Sequence, residues 1–162
     1  MPRFSVQGES AALDEKRRFA WNATAGSGSG RIEQVTAPED VIRRYVDATS
    51  AADGDTAASL AADDAVIELP GGAVLKGKEG ARQFAAKHAE TDGQKRSVTL
   101  TSLEARSPSR FVATLEMSNR EIATDQIMYS MDVGSVIEVR DGLITHNQVF
   151  PSPEEAAAAA SD

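Results

Sequence analysis

Residues 63–72 read DDAVIELPGG, and this stretch decides the fold prediction because it holds one short strand with a clear end. The largely apolar run at 65–69 predicts the strand, and Pro70 ends it, since proline lacks the backbone N–H that a sheet ladder uses. The glycines at 71 and 72 predict a turn. Helical patterns flank this strand on both sides, and only after them does the chain change to long alternating runs.

The segment ahead of the strand predicts a helix that starts near residue 36. Thr36 and Glu39 stand three residues apart as a capping box, in which each side chain bonds the other's backbone N–H, and Pro38 suits the first turn. Apolar residues then recur at helical spacing through Tyr45 to Thr49. Tyr45 is therefore expected on the apolar face of this helix.

Two further helices are predicted on the two sides of the strand. Gly54 is expected to end the first helix, and Asp55 to cap a short second helix. Residues 77–91 predict the third helix, with Phe84 and His88 on one face. We interpret His88 as a helix-end histidine stabilised by the helix dipole, and we assign it no functional role.

After Gly93 the apolar pattern has a period of two, which predicts strands at 97–106, 110–119, 126–140 and 143–150. Helices first and antiparallel strands afterwards is an α+β arrangement, in which three N-terminal helices cover a curved sheet. A strongly bent sheet under helices encloses a conical cavity, which is a natural small-molecule site. The last residues, 151–162, predict either a helix or a frayed end.

The composition excludes several classes of function. The 162 residues suffice for one domain, and their net charge of −8 argues against a nucleic-acid or anionic-membrane partner. The chain has no cysteine and only two histidines, so we expect neither a disulfide nor a metal site, and no cofactor is indicated. No apolar run is long enough to cross a bilayer, and no apolar signal core is present, so a cytoplasmic location is the default expectation.

The segment GSGSG at 26–30 divides the chain into two unequal parts: a tail with its linker at 1–30 and a domain at 31–162. Two interpretations of the linker stay open, an engineered joint to a grafted peptide or a native arm. The tail carries Phe4, Phe19 and Trp21 beside basic residues. Aromatic anchors of this kind are typical of a peptide that docks into a groove.

The motifs RRYVDATSAADGD, LAADDAVIELPGG, GKEGARQF and VRDGLIT, in this order, give the domain a family resemblance. The chain resembles the nuclear transport factor 2-like superfamily over residues 38–150, and within it the SnoaL-like polyketide cyclases and the ketosteroid isomerases. The resemblance implies a cystatin-like roll with a ligand cavity, and a homodimer. It does not fix the activity, because this fold hosts enzymes of several classes and non-catalytic adaptors.

The isomerase pattern is matched at one position and broken at another. The resemblance implies that Tyr45 donates a hydrogen bond to an oxyanion, as the matching tyrosine of the isomerases does. The isomerases carry their proton-moving aspartate directly before the proline of the first strand, where this chain has Leu69. Their second, protonated aspartic acid falls near Ser135, and Asp132 is the only nearby acid. The familiar enolising reaction is therefore not expected.

The cyclase and epoxide-hydrolase patterns are also incomplete, since Val149 stands at the approximate place of the epoxide-hydrolase aspartate. His146 is a candidate general base, although strand alternation favours a place on the outer face. Tyr45 and His146 are thus the two catalytic candidates. Seven residues are predicted to line the cavity: Tyr45, Leu69, Tyr129, Met131, Ser135, Asn147 and Val149.

Two functional hypotheses follow. The first is a small-molecule-binding domain with an apolar cavity, with two alternatives left open: a domain that only binds, or an isomerase-type or cyclase-type enzyme that lacks the usual catalytic aspartates. The second is a non-catalytic adaptor or peptide-binding domain, whose ligand is the tethered tail at 1–25. A short tether raises the effective concentration to roughly millimolar, which suits a weak ligand.

Trp21 is the only tryptophan of the chain and reports directly on the second hypothesis. If the tail docks, we expect blue-shifted Trp21 emission in the native full-length protein relative to the same chain in denaturant, because docking removes the indole from water. A native spectrum identical to that of a water-exposed tryptophan would contradict docking. Deletion of residues 1–30 shows whether cavity binding depends on the tail.

Overall fold

The computed structural model of the protein describes residues 37–161. Within this part of the chain the helices are α1 (Pro38–Ser50), α2 (Gly54–Ser59), α3 (Gly77–Ala86) and α4 (Pro153–Ala160). The strands are β1 (Ala61–Glu68), β2 (Val74–Lys76), β3 (Gln94–Ala105), β4 (Arg110–Glu121), β5 (Gln126–Arg140) and β6 (Leu143–Phe150). The α+β prediction is confirmed.

The six strands form one curved sheet in the order β2-β1-β6-β5-β4-β3. Strands β3 to β6 follow one another as antiparallel neighbours, as expected. The pair β1–β6 is parallel, which corrects the prediction of a purely antiparallel sheet. The reason is topological: three hairpin connections bring β6 back beside β1 in the same direction.

Register shifts mark where the long strands bend. One lies between Leu100 and Ser102, one between Asn119 and Arg120, and one between Glu138 and Val139. An extra residue on one strand locally increases twist and bends the ladder. The bends let the sheet curve around the helices rather than lie flat beneath them.

The opening stretch behaves largely as predicted. The backbone N–H of Leu69 donates to Ala73 O at 2.8 Å, and that of Gly72 donates to Leu69 O at 3.1 Å. Gly71 and Gly72 both have positive φ, which glycine adopts without strain. The strand itself is longer than predicted and begins at Ala61, and the turn leads into the short strand β2, which the sequence analysis did not predict.

Two helix starts differ from the predictions. The N-cap of α1 is Ala37, which offers no side-chain cap, and Thr36 of the predicted capping box lies outside the described residues. The N-cap of α2 is Asp53, which accepts a hydrogen bond from Thr56 N at 3.2 Å. Gly54 is therefore the first residue of α2 rather than the end of α1, and Asp55 is inside the first turn.

The hydrophobic core lies on the concave face of the sheet, beneath α1, α2 and α3. Ile42, Tyr45 and Ile137 are among its fully buried members. Helix α4 packs on the opposite face, where Val136 and Ala156 belong to a second buried cluster. Adjacent residues 136 and 137 thus face opposite layers, as strand alternation requires.

A close approach of backbone to backbone seats α4. A Cβ on Gly134 would stand 2.6 Å from Ala156 Cβ and 2.9 Å from Ser152 O, so only glycine fits here. Ser152 caps α4 by accepting from Glu155 N at 3.2 Å. Of the two endings left open by the sequence, the helical one is therefore correct.

The tail residues Phe4, Phe19 and Trp21 and the linker at 26–30 lie outside the described residues, so their predicted role stays a prediction. No helix among residues 37–161 is both long enough and apolar enough to cross a membrane.

Candidate ligand-binding cavity

A cavity of about 420 Å³ lies between the helices and the concave face of the sheet. Helix α1 and the end of α3 form one wall, and strands β3 to β6 form the other. Apolar side chains make up most of this lining, which is what a small-molecule site needs. The lining residues are Tyr45, Val46, Thr49, Leu69, Pro70, Phe84, Lys87, His88, Arg96, Val98, Leu115, Met117, Met131, Val133, Ser135, Ile137, Asn147, Val149, Phe150 and Pro151.

Tyr45 and Asn147 form a buried polar pair at this cavity. Asn147 Nδ2 donates to the Tyr45 hydroxyl oxygen at 3.2 Å, and both residues are only 2% exposed. The bond joins α1 to β6 across residues that are distant in sequence. It fixes the tyrosine hydroxyl in one place within a mostly apolar lining.

This pair has hydrogen-bonding capacity left over. Asn147 Oδ1 has no partner, and the Tyr45 hydroxyl hydrogen has no acceptor among the described residues. Turning the amide over would let Tyr45 donate to Oδ1, but it would then leave Nδ2 without an acceptor. In either orientation one buried polar group stays unsatisfied, which is unusual for a protein interior.

Burial raises the pKa of Tyr45 to about 12, and the hydrogen bond from Asn147 lowers it by a smaller amount. The phenol therefore stays neutral across the physiological range. A neutral phenol donates its hydroxyl hydrogen, so Tyr45 can stabilise negative charge on a ligand oxygen but cannot act as a base.

His88 lines the cavity, and the sequence analysis missed it. Phe84 stacks on Tyr45 with ring centroids 6.5 Å apart, and His88 meets Phe84 edge-on at 5.7 Å. His88 is 4% exposed. The signal was available, because His88 follows Phe84 by one helical turn on the same predicted face.

His88 is a neutral imidazole with a defined tautomer. Burial lowers its pKa to about 4; the nearby cations Arg96 and Lys95 act in the same direction, while the hydrogen bond to Phe84 opposes them. Nδ1 lies 3.2 Å from Phe84 O, and since a carbonyl oxygen only accepts, Nδ1 carries the hydrogen. The lone pair is consequently on Nε2.

Carboxylates are absent from the lining formed by the described residues. Leu69 lies at the cavity, and the adjacent Glu68 faces the other way, where its Oε2 is 2.6 Å from His146 Nε2. Asp132 is exposed and lies outside the lining. The two acids that could have replaced the missing isomerase aspartates are therefore both outside the cavity.

His146 belongs to an outer row of side chains with Glu68, Glu138 and Arg110, and not to the cavity. Its Nδ1 is 4.0 Å from Glu138 Oε2, which in turn is 3.8 Å from Arg110 Nε. His146 and Asn147 are successive residues of β6, so their side chains point to opposite faces. The candidate role of His146 as a general base in the cavity is corrected by this placement.

All but one of the remaining predicted lining residues do line the cavity. Met131, Ser135 and Val149 line the cavity as expected, together with Leu69 and Asn147. Tyr129 does not: it is 43% exposed and lies where β5 extends past the helices. Among residues 37–161 no group of three or more histidine or acidic side chains is arranged to hold a metal ion.

The lowered pKa of His88 predicts that the free energy of unfolding depends on pH. Unfolded His88 binds a proton near pH 6.5, whereas folded His88 resists protonation down to about pH 4, so its contribution is present above pH 6.5 and is lost as the pH falls toward 4. Between pH 7 and 4.5 we expect His88 to account for about 2 kcal/mol of the lost unfolding free energy.

Urea unfolding of wild type and His88→Gln at the two pH values measures this difference. The variant should lose less stability than wild type on acidification. His146→Gln is the comparison variant, because His146 is the only other histidine and bonds Glu68 outside the cavity, so this variant should still show the loss of stability that His88 causes. Equal pH dependence in His88→Gln and wild type would show that His88 is not held neutral.

Comparison with known proteins identifies the family of this chain. The family model of the SnoaL-like domain matches residues 42–147, well over half of the chain. No curated protein matches the sequence. The match spans α1 to β6 and so includes both Tyr45 and Asn147.

Solved structures share the fold. A candidate polyketide cyclase from Silicibacter sp. TM1040 is 25% identical, with 74% of this chain and 91% of that chain covered and a TM-score of 0.58. A protein of ketosteroid isomerase-like fold from Catenulispora acidiphila, in complex with trimethylamine, is 19% identical over 78% of this chain and 95% of the other, with a TM-score of 0.57. A computationally designed 17-OHP binder is 22% identical over 71% and 93%, with a TM-score of 0.54. The chain belongs to the SnoaL-like domain family.

Proposed function

We propose that this domain binds a small, flat, mostly apolar molecule that carries an oxygen function, inside the cavity above the concave face of the sheet. The observation that carries the proposal is the buried Tyr45–Asn147 pair, which keeps unused hydrogen-bonding capacity beside an apolar hollow. A volume of about 420 Å³ lies in the usual range for small-molecule sites.

Apolar burial supplies the main driving force for such a ligand. Leu115, Met117, Val133 and Ile137 offer an apolar surface from the sheet side of the cavity. Removing apolar area from water is worth roughly 25 cal/mol per Å². Methionine adapts its shape readily, so Met117 and Met131 suit a cavity that accommodates more than one outline.

Polar contacts would then set the orientation of the ligand. The Tyr45 hydroxyl can donate to a ligand carbonyl, and Asn147 Oδ1 can accept from a ligand hydroxyl. Ser135 is 2% exposed and makes no hydrogen bond to a described residue, so its hydroxyl is available as well. A ligand with one or two oxygens would satisfy groups that the protein leaves unsatisfied.

The proposal is one of binding, without the proton shuttle of the ketosteroid isomerases. Leu69 cannot accept a proton, and Glu68 bonds His146 on the other face. Among the described lining residues His88 is the one side chain that is neutral and basic at physiological pH. For a reaction of isomerase or cyclase type in this cavity we propose His88 Nε2 as the group that moves the proton.

The comparisons support small-molecule binding at the level of the fold. The designed 17-OHP binder shows by its name that this fold can be made to hold a small molecule. The cytoplasmic location and the homodimer stay predictions. An exposed apolar strip at Ile127, Met128 and Tyr129 supports contact with a second copy.

The fluorescent ketone 2-acetylanthracene tests the proposal. We expect it to bind to the wild-type protein, and Tyr45→Phe to weaken binding about fivefold to tenfold, because one hydrogen bond of roughly 1 kcal/mol is lost. The hydrocarbon 2-ethylanthracene has no oxygen and should bind both proteins equally. Titration followed by ligand fluorescence gives each dissociation constant.

Tyr129→Phe is the matched control, because Tyr129 is the only other tyrosine and lies outside the lining. It should leave both dissociation constants unchanged. If neither compound binds to the wild-type protein, the proposed function is wrong. If Tyr45→Phe and wild type have the same dissociation constant for the ketone, the Tyr45–Asn147 pair does not bind the ligand oxygen.

A further inference from the structure

The charges around the cavity are one-sided. Lys87, His88 and Arg96 contribute nitrogen-bearing side chains to the lining, and the lining holds no carboxylate among the described residues. The whole chain nevertheless carries a net charge of −8. A basic patch at the cavity of an acidic protein has to be explained by something other than overall composition.

Arg96 is the part of this patch that lacks a partner. It is half-buried, its Nε is buried without a hydrogen bond, and its guanidinium forms no ion pair with an acid of residues 37–161. A guanidinium presents five donors in a planar fork, and the buried Nε–H donor without a partner costs free energy. The other cationic side chain of the described lining, Lys87, is exposed to solvent.

The neighbouring cation on β3, Lys95, has a structural role. Lys95 Nζ donates to Ser50 O at 2.5 Å and to Arg96 O at 2.6 Å, so it satisfies a carbonyl at the end of α1. Val98 N donates to Ser50 Oγ at 3.0 Å, which ties the same helix end to β3. Lys95 is thus a structural clamp between α1 and β3. The Arg96 side chain makes no such contact with the described residues.

The clamp also brings a second unsatisfied group to this wall. Thr49 precedes Ser50, lines the cavity, is 3% exposed, and its Oγ1 has no hydrogen-bond partner. Thr49 and Arg96 both line the cavity. A hydroxyl donor and a guanidinium without an acidic partner among residues 37–161, in one lining, are a suitable environment for an anionic oxygen pair.

We propose that the ligand of this cavity is an apolar organic carboxylate, and that Arg96 binds the carboxylate while the rings occupy the apolar hollow. This inference rests on the proposed function and narrows it to a substrate class. The planar fork of arginine matches two carboxylate oxygens at once, which an ammonium group cannot do. Thr49 supplies a further donor from α1.

The test compares anthracene-2-carboxylate with its primary amide, which has the same rings and no charge. We expect wild type to bind the acid about tenfold more tightly than the amide at pH 7.5, since hydrogen bonds to charged groups are roughly twice as strong as neutral ones. In Arg96→Gln this preference should fall to about one. The affinity for the amide should change less than twofold, which also shows that the variant is folded.

Arg120→Gln is the matched control, because Arg120 is also half-buried, pairs with Asp125 at 3.1 Å and lies outside the lining. It should keep the tenfold preference. Equal binding of acid and amide by wild type would overturn the inference, and so would a preference that persists in Arg96→Gln. Either result can occur while 2-acetylanthracene still binds, so the failure of this inference is distinct from failure of the proposed function.

Discussion

The hydrogen bond between Asn147 and Tyr45 is the contact on which the site depends. It joins the first helix to the last strand, and it holds a neutral phenol at a fixed point beside an apolar hollow. Without it, two buried polar groups would lose the one partner that residues 37–161 give them, at a cost of about 1–3 kcal/mol for each. The same bond leaves one donor and one acceptor unused, and this surplus makes the hollow a candidate binding site.

The alternation of side chains along strands distributes the chemistry between two faces. Leu69 and Asn147 line the cavity, whereas their neighbours Glu68 and His146 bond each other on the outside. A shift of one residue in β1 would bring the Glu68 carboxylate into the lining in place of Leu69. The same shift in β6 would bring the His146 imidazole there in place of Asn147. Because of this register the lining formed by residues 37–161 contains no acid, even though the chain as a whole is rich in acids.

Much of this architecture could be predicted from the sequence. The strand that ends at Pro70, the first helix carrying Tyr45 and the long alternating runs follow from local periodicity and turn chemistry. The placement of Asn147 and Val149 toward the cavity came from the family resemblance. These features are local or inherited, so one sequence is enough to indicate them.

The features that were missed depend on how distant elements meet. Periodicity placed Tyr129 and Met131 on one face of β5, but it could not show that the helices cover only part of this long strand. His88 follows the last residue of α3 as defined by the structure, and it is buried because the cavity closes around Phe84. The parallel pairing of β1 with β6 likewise follows from the complete path of the chain and from no single segment.

The chain offers a direct probe of where a ligand goes, because its four methionines include two lining residues, Met117 and Met131, and one exposed residue outside the lining, Met128. The measurement is an NMR titration of the protein carrying ¹³C-labelled methionine methyl groups with 2-acetylanthracene. A ligand inside the hollow shifts the signals of Met117 and Met131 together and leaves Met128 in place. A shift confined to Met128, or none at saturation, would contradict a binding site under Tyr45 and Asn147.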